Sequence, residues 1–130
     1  MGSIFSKIVS GEIPCNKVAE NEQFLAFLDV MPLREGHVLV IPKIAVDYIF
    51  DMEDAHLADM IIFSKTVARK LKQVFPCKKI GVTVIGLEVP HAHIHLIPIN
   101  SLSDMDFSKP KLKIEESRLK EIAKLITESV

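Results

Sequence analysis

Cysteine is scarce in this chain, and neither sign of charge is in surplus. Cys15 and Cys77 stand far apart and form no framework of spacings, which excludes a disulfide scaffold and favours reduced thiols. With 16 basic residues against 17 acidic ones, the net charge is −1, so the basic excess that marks a nucleic-acid-binding surface is missing. No apolar run approaches the roughly 18–20 residues that cross a bilayer. No secretory pattern opens the sequence, no repeat recurs in it, and no linker-like stretch divides it. These absences lead to the expectation of a cytoplasmic protein that binds neither nucleic acid nor membrane.

What is present points to one compact domain spanning 1–130. Apolar residues make up 48% of the chain, and the mean hydropathy is +0.27, enough to bury a real core. The opening "MGSIFS" fits a myristoylation template through Gly2 and Ser6. The stronger expectation for that stretch is a short helix capped by Ser3, stopped by Gly11, and buried through Ile4, Phe5, Ile8 and Val9. "KVAENEQFLAFLD" holds two strands around a polar turn, and "HVLVIP", "KIGVTVI" and "HIHLIP" supply three more. A long helix is expected over about 54–75, with Leu57, Ile61, Ala68, Leu71 and Phe75 inward and Lys65, Arg69 and Lys72 outward. A last helix over 115–128 places Leu119, Ile122, Ala123 and Ile126 on one face, and the polar stretch 101–113 leads to it as a loop. Strands joined by short turns, with few helices, favour an antiparallel α+β fold.

The unusual feature is "HAHIHLIP" at 91–98, which holds three of the five histidines. On a strand, His91, His93 and His95 share one face, roughly 6–7 Å apart, while Ala92, Ile94 and Leu96 point into a core. Solubility alone is served by Lys, Thr, Ser or Glu, so three imidazoles ask for chemistry. Two chemistries fit. The histidines can ligate zinc, with His37, a carboxylate or a thiol completing the set. Alternatively, one neutral imidazole can attack phosphorus and form a covalent intermediate, provided its other nitrogen gives its proton to a fixed acceptor.

"HAHIHLI" has the form His-φ-His-φ-His-φ-φ, with φ apolar, and resembles the signature of the histidine triad (HIT) family. "SIFSKIVSGEIPCNKV" and "FLAFLDVMPLREGHVLVIPK" are similar to two further segments of that family, in the same order, so the likeness covers about residues 3–100. It looks closest to the Hint-like, nucleotide-binding branch. The resemblance implies a five-stranded antiparallel sheet with a long helix, here with short N-terminal and extra C-terminal helices. Residues 101–130 then form a C-terminal extension, and two copies are expected to pair as a homodimer. His93 matches the nucleophile, His95 a residue at the phosphate or leaving group, and His91 and His37 supporting histidines. Asp29 matches the carboxylate on the ribose hydroxyls. Val30, Phe27, Leu39, Ile4, Phe5 and Ile8 match positions around the base. The implied activity is hydrolysis or transfer at the α-phosphate of a purine nucleoside phosphoramidate or dinucleotide-like substrate, releasing a nucleoside monophosphate. It needs no cofactor. A nucleotide-binding module with little turnover, and a zinc-dependent hydrolase, are the alternatives.

Three departures from the family pattern bear on this. Where bacterial relatives carry Cys-x-x-Cys in a zinc site, this chain has Ser3 and Ser6, so no structural metal is expected. The segment "VIGLEVPHAHIH" lacks the usual asparagine and glutamine before the triad, leaving backbone N–H groups near Gly86 and Leu87 to hold phosphate oxygens. Glu88 replaces a hydroxyl residue, either as a general acid for the leaving group or as a solvent-facing side chain.

Overall fold

The computed structural model describes residues 3–129. Gly2 of the myristoylation template lies outside the described residues. The chain forms α1 (Ile4–Ser10), β1 (Lys17–Glu20), β2 (Phe24–Leu28), β3 (Val38–Pro42), α2 (Asp54–Val74), β4 (Lys79–Thr83), β5 (Ile94–Ile99) and α3 (Glu116–Glu128). The five strands make one sheet in the order β1-β2-β3-β5-β4, and every neighbouring pair is antiparallel. This is the expected α+β fold. No described helix is long and apolar enough to cross a membrane.

Residues of β2 and β3 are buried throughout, because both faces of these central strands are covered. Alternation divides them cleanly. Phe24, Ala26, Leu28, Val38 and Val40 join Ile94 and Leu96 of β5 in the larger core, under α2 and α3. Leu25, Phe27, Leu39 and Ile41 face the other way and form a small second cluster with Phe5 of α1.

The buried stripe of α2 is Met60, Ser64, Val67 and Leu71. This corrects the expected stripe, since Ile61 is 50% exposed. The true stripe runs through a serine, and burial there is tolerated because Ser64 Oγ donates to the Met60 carbonyl at 2.8 Å. Helix α1 is capped as expected: Ser3 Oγ accepts from the Ser6 N–H, and Gly11 closes it at φ 87°. Phe5 is its buried residue. Ile4 is 51% exposed, a second correction, because a seven-residue helix turns only one narrow edge to the sheet.

Ladder pairing of β5 begins at Ile94, so of the triad only His95 lies in the strand; His91 and His93 occupy the bend leading into it. The stretch after β5 is more than a loop, since it folds into a tight turn over Leu102–Met105. Helix α3 buries the four expected residues and packs on β1, β2 and α2 of its own chain.

Candidate active site

The β2–β3 connection builds one half of the site. The Asp29 N–H donates to the His37 carbonyl at 3.0 Å, continuing the ladder past the strand ends. Gly36 stands between them at φ 88°, where a Cβ would lie 2.8 Å from the Phe75 ring, so only glycine fits. Asp29 Oδ1 accepts from the Met31 N–H at 2.9 Å, which fixes the carboxylate, and Oδ2 lies 3.6 Å from His37 Nε2. Burial pushes the Asp29 carboxyl up, while the Met31 N–H and the charge of Lys111 pull it down and Glu88 adds a smaller upward push.

Backbone groups set the tautomers of His37, His91 and His93, and His37 in turn sets that of His95. His91 Nε2 donates to the Pro42 carbonyl at 2.8 Å. Its Nδ1 is therefore bare, and the hydroxyls of Ser3 and Ser6 reach it at 3.2 and 3.3 Å. His93 Nδ1 donates to the His91 carbonyl at 2.7 Å, which in the neutral ring leaves a lone pair on Nε2. The Phe5 ring meets His93 edge-on, 5.0 Å away.

His37 and His95 form a one-way relay. The Leu33 N–H can only donate, and it reaches His37 Nδ1 at 3.0 Å. The proton of His37 must then sit on Nε2, which lies 2.9 Å from His95 Nδ1. His95 accepts there, so its own proton sits on Nε2. Burial pushes His37 down to about 3, helped by His95, Lys111 and His93. Burial and His93 push His95 down to about 4, and His91 moves the same way through burial, opposed by its bond to Pro42. At neutral pH the relay is uncharged.

Asp29, His37 and His95 also place potential metal-ligand atoms within 4.8 Å of one another. The donor set does not suit a cation. One nitrogen of His37 takes the Leu33 N–H and the other carries a proton, so a metal would need an imidazolate or a broken backbone bond.

The structure brings Asp29, His37, His91, His93 and His95 together. Phe27, Leu39 and Phe5 are buried beneath them, and Ile8 packs at the margin of that cluster. Val30, at 63%, and Ile4 stand exposed. Gly86, at φ 73°, Leu87 and Glu88 lie in an exposed loop before the triad. Glu88 is in no hydrogen bond or ion pair among the described residues, and its charge reaches Asp29 only over a distance. Sequence reasoning missed Phe107, whose ring lies 4.9 Å from that of His95. It also missed Lys111 and the backbone partners at Leu33 and Pro42. Ser3 and Ser6 were marked as departures, without their bonds to His91.

The sequence profile described as the HIT domain matches residues 10–102. An uncharacterized HIT-like protein of Borreliella burgdorferi is 33% identical over 135 aligned positions, covering 98% of this chain and 97% of that one. The adenosine 5′-monophosphoramidase of Schizosaccharomyces pombe is 37% identical over 99, covering 75% of this chain and 74% of its own. Among solved structures, a HIT-like protein of Bartonella henselae superposes with a TM-score of 0.86 at 29% identity, over 99% of this chain and 96% of that one.

Proposed function

This chain belongs to the histidine triad (HIT) family, a family of nucleotide hydrolases and transferases, and from that premise we propose that it hydrolyses purine nucleoside phosphoramidates through a nucleotidyl-His93 intermediate. The observation that carries the proposal is the 2.7 Å bond from His93 Nδ1 to the His91 carbonyl, which leaves Nε2 as the one free lone pair among rings otherwise fixed by hydrogen bonds. His93 Nε2 bonds to the α-phosphorus, and the bond from phosphorus to the leaving nitrogen breaks with its electron pair. The leaving nitrogen takes a proton from solvent. The phosphorylated ring keeps its Nδ1 proton and is cationic, hence a good leaving group. Water then attacks phosphorus and gives up a proton, the His93 bond breaks, and a nucleoside monophosphate is released.

His95 is assigned a narrower part than that of a proton source. Surrendering its Nε2 proton would create an imidazolate, since the His37 N–H and the Leu33 N–H prevent resupply through Nδ1. It serves as a fixed donor to the charge that develops on phosphate or leaving group. Glu88 is assigned no proton transfer and stays a solvent-facing side chain of the loop before the triad. Asp29 takes the ribose hydroxyls, and Phe5, Phe27, Leu39, Ile8, Ile4 and Val30 surround the base. Gly86 and Leu87 offer N–H groups to the phosphate. The same reading treats the chain as one cytoplasmic unit. A second copy is assigned to the open β4 edge, where Val82 is exposed, as are Ile61 and Ile62 of α2, the helix that packs on β4.

The test is incubation with adenosine 5′-phosphoramidate and mass spectrometry of the peptide carrying His93. An adenylyl adduct on His93 that decays to AMP is the expected result. AMP binding with no adduct, in the wild type and in slowed variants alike, would instead mark a nucleotide-binding module.

A further inference from the structure

The stretch between β5 and α3, together with the first turn of α3, returns over the β2–β3 connection and is pinned to it. Asp104 caps its own turn by accepting from the N–H groups of Asn100 and Ser101, at 2.7 and 3.1 Å, and pairs with Arg34 Nη1 at 2.6 Å. The Leu112 N–H donates to the Pro32 carbonyl at 2.8 Å. Arg118 grips Glu35 through Nε and Nη2, at 2.9 and 2.7 Å. Exposed ion pairs contribute little singly, but these three attachments fall on residues 32–35 of one short loop, the loop that carries the Leu33 N–H. Lys111 Nζ folds the strap by donating to the carbonyls of Phe107 and Lys109, at 2.8 and 3.2 Å. Most of this strap lies beyond the residues that match the family profile.

Phe107 is what the strap delivers. Its ring stands edge-on to His95 at 4.9 Å and 71°, and to His37 at 6.1 Å and 82°. On another side His95 meets His93 at 4.9 Å and 64°. The His95 ring is thus held between two neighbours, and turning it over would break its bond to His37.

We propose that Phe107 is a positioning residue: it holds the His95 ring in the one orientation in which Nδ1 accepts from His37 and Nε2–H faces the reacting phosphate. This rests on the role given to His95 above. Offset and edge-on aromatic contacts are weak but directional, and a ring kept neutral by burial has no charge of its own to orient it. Loss of Phe107 frees the ring to sample the flipped orientation and the other tautomer.

Long-range proton–nitrogen spectra of the full chain, labelled with ¹⁵N-histidine, test this directly. In the wild type His95 shows a protonated Nε2 and a bare Nδ1. In Phe107→Ala the two nitrogens move toward averaged shifts, and kcat on adenosine 5′-phosphoramidate falls roughly fivefold to tenfold with KM within about twofold. Phe107→Tyr restores both. Phe107→Leu, which keeps more of the volume, serves if the alanine variant does not fold, and it shows the same averaging. A His95 that keeps a single tautomer in the alanine or leucine variant would overturn the proposal, whatever kcat does. The spectra need no turnover, so an inactive wild type would count against the proposed function and leave the role of Phe107 to be decided by the nitrogen shifts.

Discussion

The two faces of the sheet are built on opposite terms. The face under α2 and α3 is a continuous apolar layer, in which Met60, Leu71, Ile94 and Ile122 are fully buried. The opposite face has a smaller apolar cluster that includes Phe5 of a seven-residue helix, and it holds four buried histidines, two of which meet the Phe107 ring of the strap. Apolar burial is non-directional, so the first face tolerates approximate placement. A buried imidazole without its partner is costly, so on the second face each hydrogen bond must be made at a specific atom. Among the described residues no side-chain nitrogen or oxygen that is itself sealed from solvent lacks a partner; the free Nε2 atoms of His93 and His95 stand where the site opens. The first face supplies stability, and the second uses some of it to hold polar groups in place.

The largest expected effects separate the faces outright. Leu71→Ala, at a fully buried position, should cost about 2–5 kcal/mol in urea unfolding while the remaining folded protein keeps its kcat. His93→Asn should do the reverse, because the amide can still donate to the His91 carbonyl but has no nucleophilic nitrogen. Turnover should fall by roughly 10³-fold or more, with less than half the stability loss of Leu71→Ala. Comparable stability losses in both would break the comparison.

Acid should act through the second face first. His37 and His95 titrate near 3 and 4 when folded, against 6.5 for a free histidine, and His91 is displaced in the same direction. Between those values the unfolded chain binds more protons than the folded one. Stability is therefore fully present above about pH 6.5 and is lost as pH falls toward 4 and then 3. Each histidine contributes a slope of up to about 1.4 kcal/mol per pH unit. Asp and Glu ordinarily titrate near 4, and Asp29, pushed up by burial, acts in the opposite sense, so the loss between pH 6.5 and 5 belongs to the histidines. His37→Asn should flatten the urea midpoint in that window by about one histidine's share. An unchanged slope would show that the relay opens to water before it charges.

Much of this was legible in the sequence, for identifiable reasons. Period-2 and period-3.6 patterns placed the strands and helices, and the caps at Ser3 and Gly11 are local chemistry. The alternation of the triad correctly sent Ala92, Ile94 and Leu96 to the large core. Ile61 misled because α2 hides its stripe behind Ser64, a polar residue satisfied by its own helix. Beyond that, what orients the histidines is mostly main chain. The Leu33 N–H and the carbonyls of Pro42 and His91 carry no mark in the identity of their residues. Phe107 is the one aromatic residue of a mostly polar stretch, and nothing in that stretch's sequence says that its attachments bring the ring to His95.

The smallest expected effect concerns the two serines on His91. His91 Nδ1 has one lone pair in the ring plane and two hydroxyls within reach, at 3.2 and 3.3 Å. Either can satisfy it alone. Ser6→Ala should therefore shift stability by less than about 0.5 kcal/mol. Ser3→Ala should cost about 1 kcal/mol, since it also removes the cap that accepts from the Ser6 N–H. The double variant leaves a buried nitrogen with no donor and should cost about 1–3 kcal/mol more than the sum of the singles. That excess is the sharpest measure of how the faces differ, because no pair of methyl-sized deletions in the large core is expected to be so far from additive. Strict additivity would mean that water takes the place of the hydroxyls, and that the second face is held together less by the protein's own donors than its geometry implies.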